Sequence, residues 1–109
     1  MSWQVKYLSE ADKDYQALDG SQRLLVDKAI EKVKQNPLPQ REGGYGKELG
    51  NHSNTNLSGF LKVKLKASGI RIVYKLIRTD EAMIIVVIGM REDEEVYKIA
   101  QKRKDKYNL

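Results

Sequence analysis

Between Leu61 and Lys66 the chain alternates strictly: Leu, Lys, Val, Lys, Leu, Lys. Successive side chains of a strand point to opposite faces, so this segment reads as a β-strand with one apolar side and one cationic side. Ala67-Ser68-Gly69 supplies a short turn, after which Gly69-Ile-Arg71-Ile-Val-Tyr74 returns the chain and brings Arg71 across from Lys62, Lys64 and Lys66. A fold containing this hairpin must bury one face of a sheet and leave a row of cations on the other.

The remaining elements follow from periodicity. Trp3 to Tyr7 alternates and predicts a first strand. Ser9-Glu-Ala-Asp12 signals a helix start, with Ser9 as its cap and Ala11, Tyr15 and Leu18 at helical spacing until Asp19-Gly20 ends it. Ser21 is placed to cap a second helix whose apolar stripe is Leu25, Val26, Ala29, Ile30 and Val33. Asn36-Pro37-Leu38-Pro39 stops it, since proline lacks a donor and restrains its predecessor. The stretch 40–59 is rich in glycine and asparagine and reads as a long loop, 43–59 most clearly. Strands are predicted at 60–66, 70–78 and 82–89, with Thr79-Asp80-Glu81 as the turn between the last two. Met83 to Ile88 has no polar side and belongs in the sheet interior. A last helix spans 94–106, with Asp93 as its cap and Val96, Ile99 and Ala100 facing inward. The expected fold is α+β, in the order β-α-α-β-β-β-α, with an antiparallel meander and the helices on one sheet face, leaving the lysine face open.

Composition narrows the chemistry. A chain of 109 residues supports one domain. The absence of cysteine rules out disulfides and thiolate metal sites, and a single histidine, His52, supports neither a histidine metal cluster nor a Ser-His-Asp triad by itself. The start Met1-Ser2-Trp3-Gln4 lacks signal-peptide order, and the longest apolar run is too short to span a bilayer. A cytoplasmic protein without membrane attachment is therefore expected. The formal net charge of +5 favours a polyanionic partner.

The segments 61–74 and 88–97, in this order and on the expected strand and helix start, closely resemble the RelE branch of the RelE/ParE toxin superfamily. The resemblance runs from Trp3 to Arg103, and the loop at 43–59 is longer than in compact members. It implies a microbial-RNase-like fold and an mRNA interferase of a type II toxin–antitoxin module that cuts mRNA in the ribosomal A site. Implied partners are a cognate antitoxin, the 70S ribosome and mRNA. No metal or other cofactor is implied. The positions matching the family's RNA-cleaving site are Lys62, Lys64, Arg71, Arg91 and Tyr97.

The residue types fit that reaction. RNA cleavage without a metal needs a base for the 2′-hydroxyl proton, cations for the phosphate, and an acid for the 5′-oxygen. Lysine is a poor base at a reference pKa of about 10.4, but neighbouring cations disfavour its charged form. Lys64 is assigned as the base, Lys62 and Arg71 as phosphate stabilisers, and Arg91 as stabiliser or acid. Tyr97 stacks on a base or orients the 2′-hydroxyl; the plainer alternative is an amphipathic tyrosine covering a helix–sheet junction. Lys66, Lys75, Lys98 and Lys102 are further candidate RNA contacts.

Plainer readings stand beside these. Strand lysines also guard sheet edges against aggregation. His52 reads as an exposed bystander, Glu10, Asp12, Asp14 and Asp19 as surface and helix-start charges, and Gly43-Gly44-Tyr45-Gly46 lacks the context of a phosphate loop. Two functional alternatives share the fold: a ParE-like inhibitor of DNA gyrase without nuclease activity, and a silent RNA- or ribosome-binding domain.

Overall fold

The apolar side of the alternating strand packs on a helical layer, as its pattern demands. The computed structural model describes residues 2–52, 55–90 and 92–109. Its elements are β1 (Gln4–Tyr7), α1 (Ser9–Gln16), α2 (Gly20–Val33), β2 (Lys47–Glu48), β3 (Asn51–His52), β4 (Thr55–Asn56), β5 (Phe60–Leu65), β6 (Ile70–Ile77), β7 (Ala82–Gly89) and α3 (Asp93–Tyr107). The main sheet has the order β1-β7-β6-β5-β2. All its pairs are antiparallel except β1 with β7, which is parallel because the two helices carry the chain back across the sheet. The predicted α+β order β-α-α-β-β-β-α is present. Within the expected loop the chain adds β2 to the sheet and pairs β3 with β4 in a separate two-stranded sheet.

Leu61, Ile72, Tyr74, Met83 and Ile85 meet Ala11 of α1 and Val26, Ile30 and Val33 of α2 in one cluster. On the opposite face Phe60, Val73, Val86 and Val87 meet Val96, Tyr97 and Ala100 of α3. Helices therefore cover both faces, and the expectation of one open sheet face fails: α3 carries its own apolar stripe and buries it on the side that bears the lysines. At about 1.5–3 kcal/mol per fully buried apolar side chain, leaving that stripe in water would be costly.

The apolar run at Met83 to Ile88 lies in an interior strand, as expected, and a bulge explains its lack of a polar side. Tyr74 pairs with Ile85 and Val73 with Val87, so Val86 is the additional residue and both valines face α3. β1 is too short to cover the end of this strand. There the Asp14 carboxylate accepts from the Ile88 amide at 3.1 Å, and Arg103 Nη1 donates to the Val86 carbonyl at 2.9 Å and to Asp14 at 2.6 Å. Asp14 is thus an edge-blocking group paired across the sheet rather than a surface charge.

Several local expectations are corrected. Leu8, not Ser9, precedes α1, and it makes no side-chain cap. α1 stops at Gln16, and Asp19 opens α2 through a reciprocal capping box with Gln22, to which Ser21 adds a hydroxyl bond onto Asp19. Leu25 is 44% exposed and outside the core. The start of α3 is preceded by Glu92, which makes no side-chain cap bond; Asp93 is the helix's first residue. Of the tyrosines, Tyr74 is fully buried and donates to the Pro37 carbonyl at 2.8 Å, while Tyr7 is 37% exposed.

The long loop is braced rather than slack. Arg41 bonds Glu48 at 2.8 Å, Arg78 bonds Glu42 at 2.7 Å, and the backbone folds tightly round Gly44. A Cβ at Gly44 would lie 2.0 Å from the Leu38 carbonyl oxygen. Gly44→Ala should therefore cost about 1–3 kcal/mol through backbone displacement, read as a lower midpoint in urea unfolding with an unchanged slope.

Candidate active site

The cationic row comes together with one carboxylate. Register places Lys47 opposite Lys62 and Lys64 opposite Arg71, and directly paired residues project from the same sheet face. Like charges so close repel, and the Asp93 carboxylate at the start of α3 offsets part of that. Lys62 Nζ donates to Asp93 Oδ2 at 3.0 Å and to the Tyr97 hydroxyl at 2.8 Å. Arg71 Nε donates to the other Asp93 oxygen, and Nη1 to the Gly69 carbonyl at 3.0 Å. Lys62 and Arg71 are only 7% and 8% exposed.

Position explains why this works. Gly69 takes φ +76° in the hairpin turn, a conformation favouring glycine, and returns Arg71 to the strand. α3 lies over this face, so its first turn delivers a carboxylate where the helix dipole favours one. Burial alone would push the Asp93 pKa up, but the bonds from Lys62 and Arg71 outweigh it and hold the carboxyl below its ordinary value. Burial likewise would lower Lys62, yet its bonds to Tyr97 and Asp93 win and raise it. Lys62 is therefore held as a cation in the resting protein.

Tyr97 is 6% exposed, with its ring centroid 5.3 Å from Lys62 Nζ. Its face is not presented to solvent for stacking in this conformation; it accepts a hydrogen bond from Lys62 and covers the helix–sheet junction. Lys64 and Lys66 are exposed and form no ion pair with any described residue. With Lys47, Lys62, Gln40 and Tyr45 they border a recess of about 380 Å³ that also reaches Asp93. Arg91 lies outside the described residues, as does the side chain of His52.

The outlying candidates separate from this group. Lys75 Nζ bonds the Leu109 carbonyl and lies 5.3 Å over the Phe60 ring, so it anchors the C-terminal residue against the sheet instead of extending the recess. Lys98 is exposed on α3, and Lys102 borders a different groove with Glu10, Ile99, Arg103 and Lys106. Two members of the site were missed by sequence reasoning. The pattern around Asp93 signals only a cap, and Lys47 lies within the expected loop, although the alternation Lys47-Glu48-Leu49 is a signal for a strand.

Chemically, the recess can bind a phosphate backbone and stabilise charge growing on it. Among the described residues, no cluster of three histidine, cysteine or acidic side chains is placed to hold a metal, and no helix is long and apolar enough to cross a membrane.

No protein-family model matches the chain. A RelE-like toxin protein of Escherichia coli is 30% identical over 103 residues, covering 94% of this chain and 98% of the relative. The mRNA interferase toxin RelE of Escherichia coli K12 is 43% identical over 42 residues, 38% of this chain and 44% of its own length. Among solved structures, a mutant of the Escherichia coli toxin RelE in the free state superimposes with TM-score 0.72 at 25% identity, covering 94% of this chain and 98% of that one. With the fold, the basic recess and a full-length relative in agreement, the chain belongs to the RelE-like toxins of the RelE/ParE toxin–antitoxin family.

Proposed function

We infer that this toxin is a ribosome-dependent endoribonuclease that cuts mRNA in the A site and stops translation, and that a cognate antitoxin neutralises it. The observation that carries this reading is the convergence of Lys47, Lys62, Lys64 and Arg71 on one sheet face, beside a recess lined by Lys66 as well. It gains support from the name of the K12 relative, an mRNA interferase.

In the reaction the RNA 2′-oxygen attacks the adjacent phosphorus while Lys64 Nζ takes the 2′-hydroxyl proton. Lys62 and Arg71 stabilise the charge on the phosphate oxygens, with Tyr97 holding Lys62 in place. The bond from phosphorus to the 5′-oxygen breaks, and Arg91 stabilises or protonates that oxygen. The products are a 2′,3′-cyclic phosphate and a 5′-hydroxyl. Because Lys62 is held charged by Asp93 and Tyr97, it suits the role of donor and leaves the base to Lys64.

Antitoxin binding has a seat of matching chemistry. A groove of about 460 Å³ between α2 and β5 exposes Leu25, Ala29 and Val63 beside Lys28, Lys32 and Lys64. An acidic amphipathic segment fits that chemistry, and a RelE chain of related fold is known in an intact complex with the antitoxin RelB.

The test maps 5′ ends on a defined mRNA in stalled ribosomes. Wild-type protein should cut within the A-site codon, and Lys64→Ala and Arg91→Ala should each lower the rate at least about 10²-fold. Absence of cutting by folded wild-type protein, together with inhibition of DNA gyrase supercoiling, would replace this reading with a gyrase-directed toxin.

A further inference from the structure

Asp93 is out of keeping with a surface that binds polyanions. It is the only acidic side chain bonded to either buried cation, Lys62 or Arg71, among the described residues, and its two oxygens are divided between them. A carboxylate whose oxygens each accept from a separate cation presents to Lys62 and Arg71 what two oxygens of a phosphate would present. The two buried cations also have little freedom to turn elsewhere. Lys62 is fixed by Tyr97 at 2.8 Å and Arg71 by the Gly69 carbonyl at 3.0 Å. The Asp93 side chain, by contrast, is 41% exposed and stands at the first residue of α3, with solvent on one side.

We propose that Asp93 is an affinity-setting residue of the RNA site: its carboxylate occupies the phosphate subsite between Lys62 and Arg71 and is displaced by a backbone phosphate of bound RNA. The inference rests on the reading of this face as an RNA site and specifies which cations receive the phosphate. In the resting protein Asp93 keeps the two buried cations paired and in place. On binding, the phosphate takes over both partners and the carboxylate turns toward water. The cation pair is thus preorganised at the expense of affinity, because RNA must compete with an internal anion. Like-charge repulsion between the carboxylate and the phosphate makes joint occupancy of the subsite unfavourable.

The test uses a short single-stranded RNA carrying 2′-O-methyl groups, so that it cannot be cut, with binding followed by fluorescence anisotropy between 50 and 200 mM salt. Asp93→Asn keeps the shape and removes the charge. It should bind about tenfold more tightly near 0.1 M salt, with the slope of log K against log salt close to that of wild type, because displacement leaves the same phosphate contact in both complexes. Asp93→Glu retains the charge and should retain the wild-type affinity. Equal or weaker binding by Asp93→Asn, with wild-type protein active on ribosomes, would overturn the proposal and leave Asp93 as a structural clamp. Should wild-type protein prove inactive on ribosomes, the nuclease reading fails separately, and tighter binding by Asp93→Asn would still support the subsite. Asp93→Asn protein that does not fold is bypassed in the unmodified chain: the ¹³Cγ resonance of Asp93 should move on saturation with the RNA probe, and an unmoved resonance would equally overturn the proposal.

Discussion

Alanine at Arg71 is expected to lower single-turnover mRNA cleavage on stalled ribosomes by about 10²–10³-fold, the usual consequence of removing one preorganised donor from a transition state. Its guanidinium is nearly buried, bonded to Asp93 and to the Gly69 carbonyl, and its strand partner is Lys64. A donor so constrained needs little reorganisation when charge develops on the phosphate. Lysine should not restore the rate, since a point charge cannot keep the backbone and carboxylate contacts of a planar fork at once. The variant should stay folded, because Asp93 keeps its bond from Lys62 at 3.0 Å. Thermal melting separates a folding defect from a chemical one. A rate within tenfold of wild type, with folding intact, would remove Arg71 from the proposed transition state.

Alanine at Phe60 is expected to give the largest loss of stability among single substitutions on the α3 side of the sheet, about 3–5 kcal/mol. Phe60 is 0% exposed and shares a buried cluster with Val73, Val86, Val96 and Tyr97. The cluster attaches α3 to the sheet, and α3 supplies Asp93 and Tyr97 to the recess. A domain of this size holds about 5–15 kcal/mol in total, so the loss should lower Tm by more than about 10 °C. Leu25→Ala is the matched control, expected within about 0.5 kcal/mol because Leu25 is 44% exposed. A change below about 1 kcal/mol for Phe60→Ala would mean that α3 does not unfold cooperatively with the sheet.

The sites where local reasoning succeeded and failed differ in kind. The hairpin from Phe60 to Ile77 was legible because alternation is local: each side chain's face follows from its neighbour's. The α2 stripe was legible for Val26, Ile30 and Val33, whose spacing keeps them on one side, but Leu25 lies at the margin of that stripe and faces a groove. The bulge at Val86 was hidden, since an unbroken apolar run carries no phase from which a register change could be read. Asp14 and Arg103 are 89 residues apart in sequence, and nothing near either one announces that they close a strand edge together.

The same division runs through the recess. Sequence alone determined which face of β5 would be cationic and that Arg71 would lie across from its lysines, because of the period of two and the short turn; the structure's register makes Lys64 its partner. Tertiary structure decided that α3 covers that face. Burial of Val96, Tyr97 and Ala100 against the sheet drives its docking, and the docking places Asp93 between Lys62 and Arg71. It also decided that Lys47 joins the row while Lys75 turns to the C-terminal carbonyl. A charge pattern along a strand is set by covalent order, whereas the partner each charge finds depends on which distant element must bury its apolar side beside it.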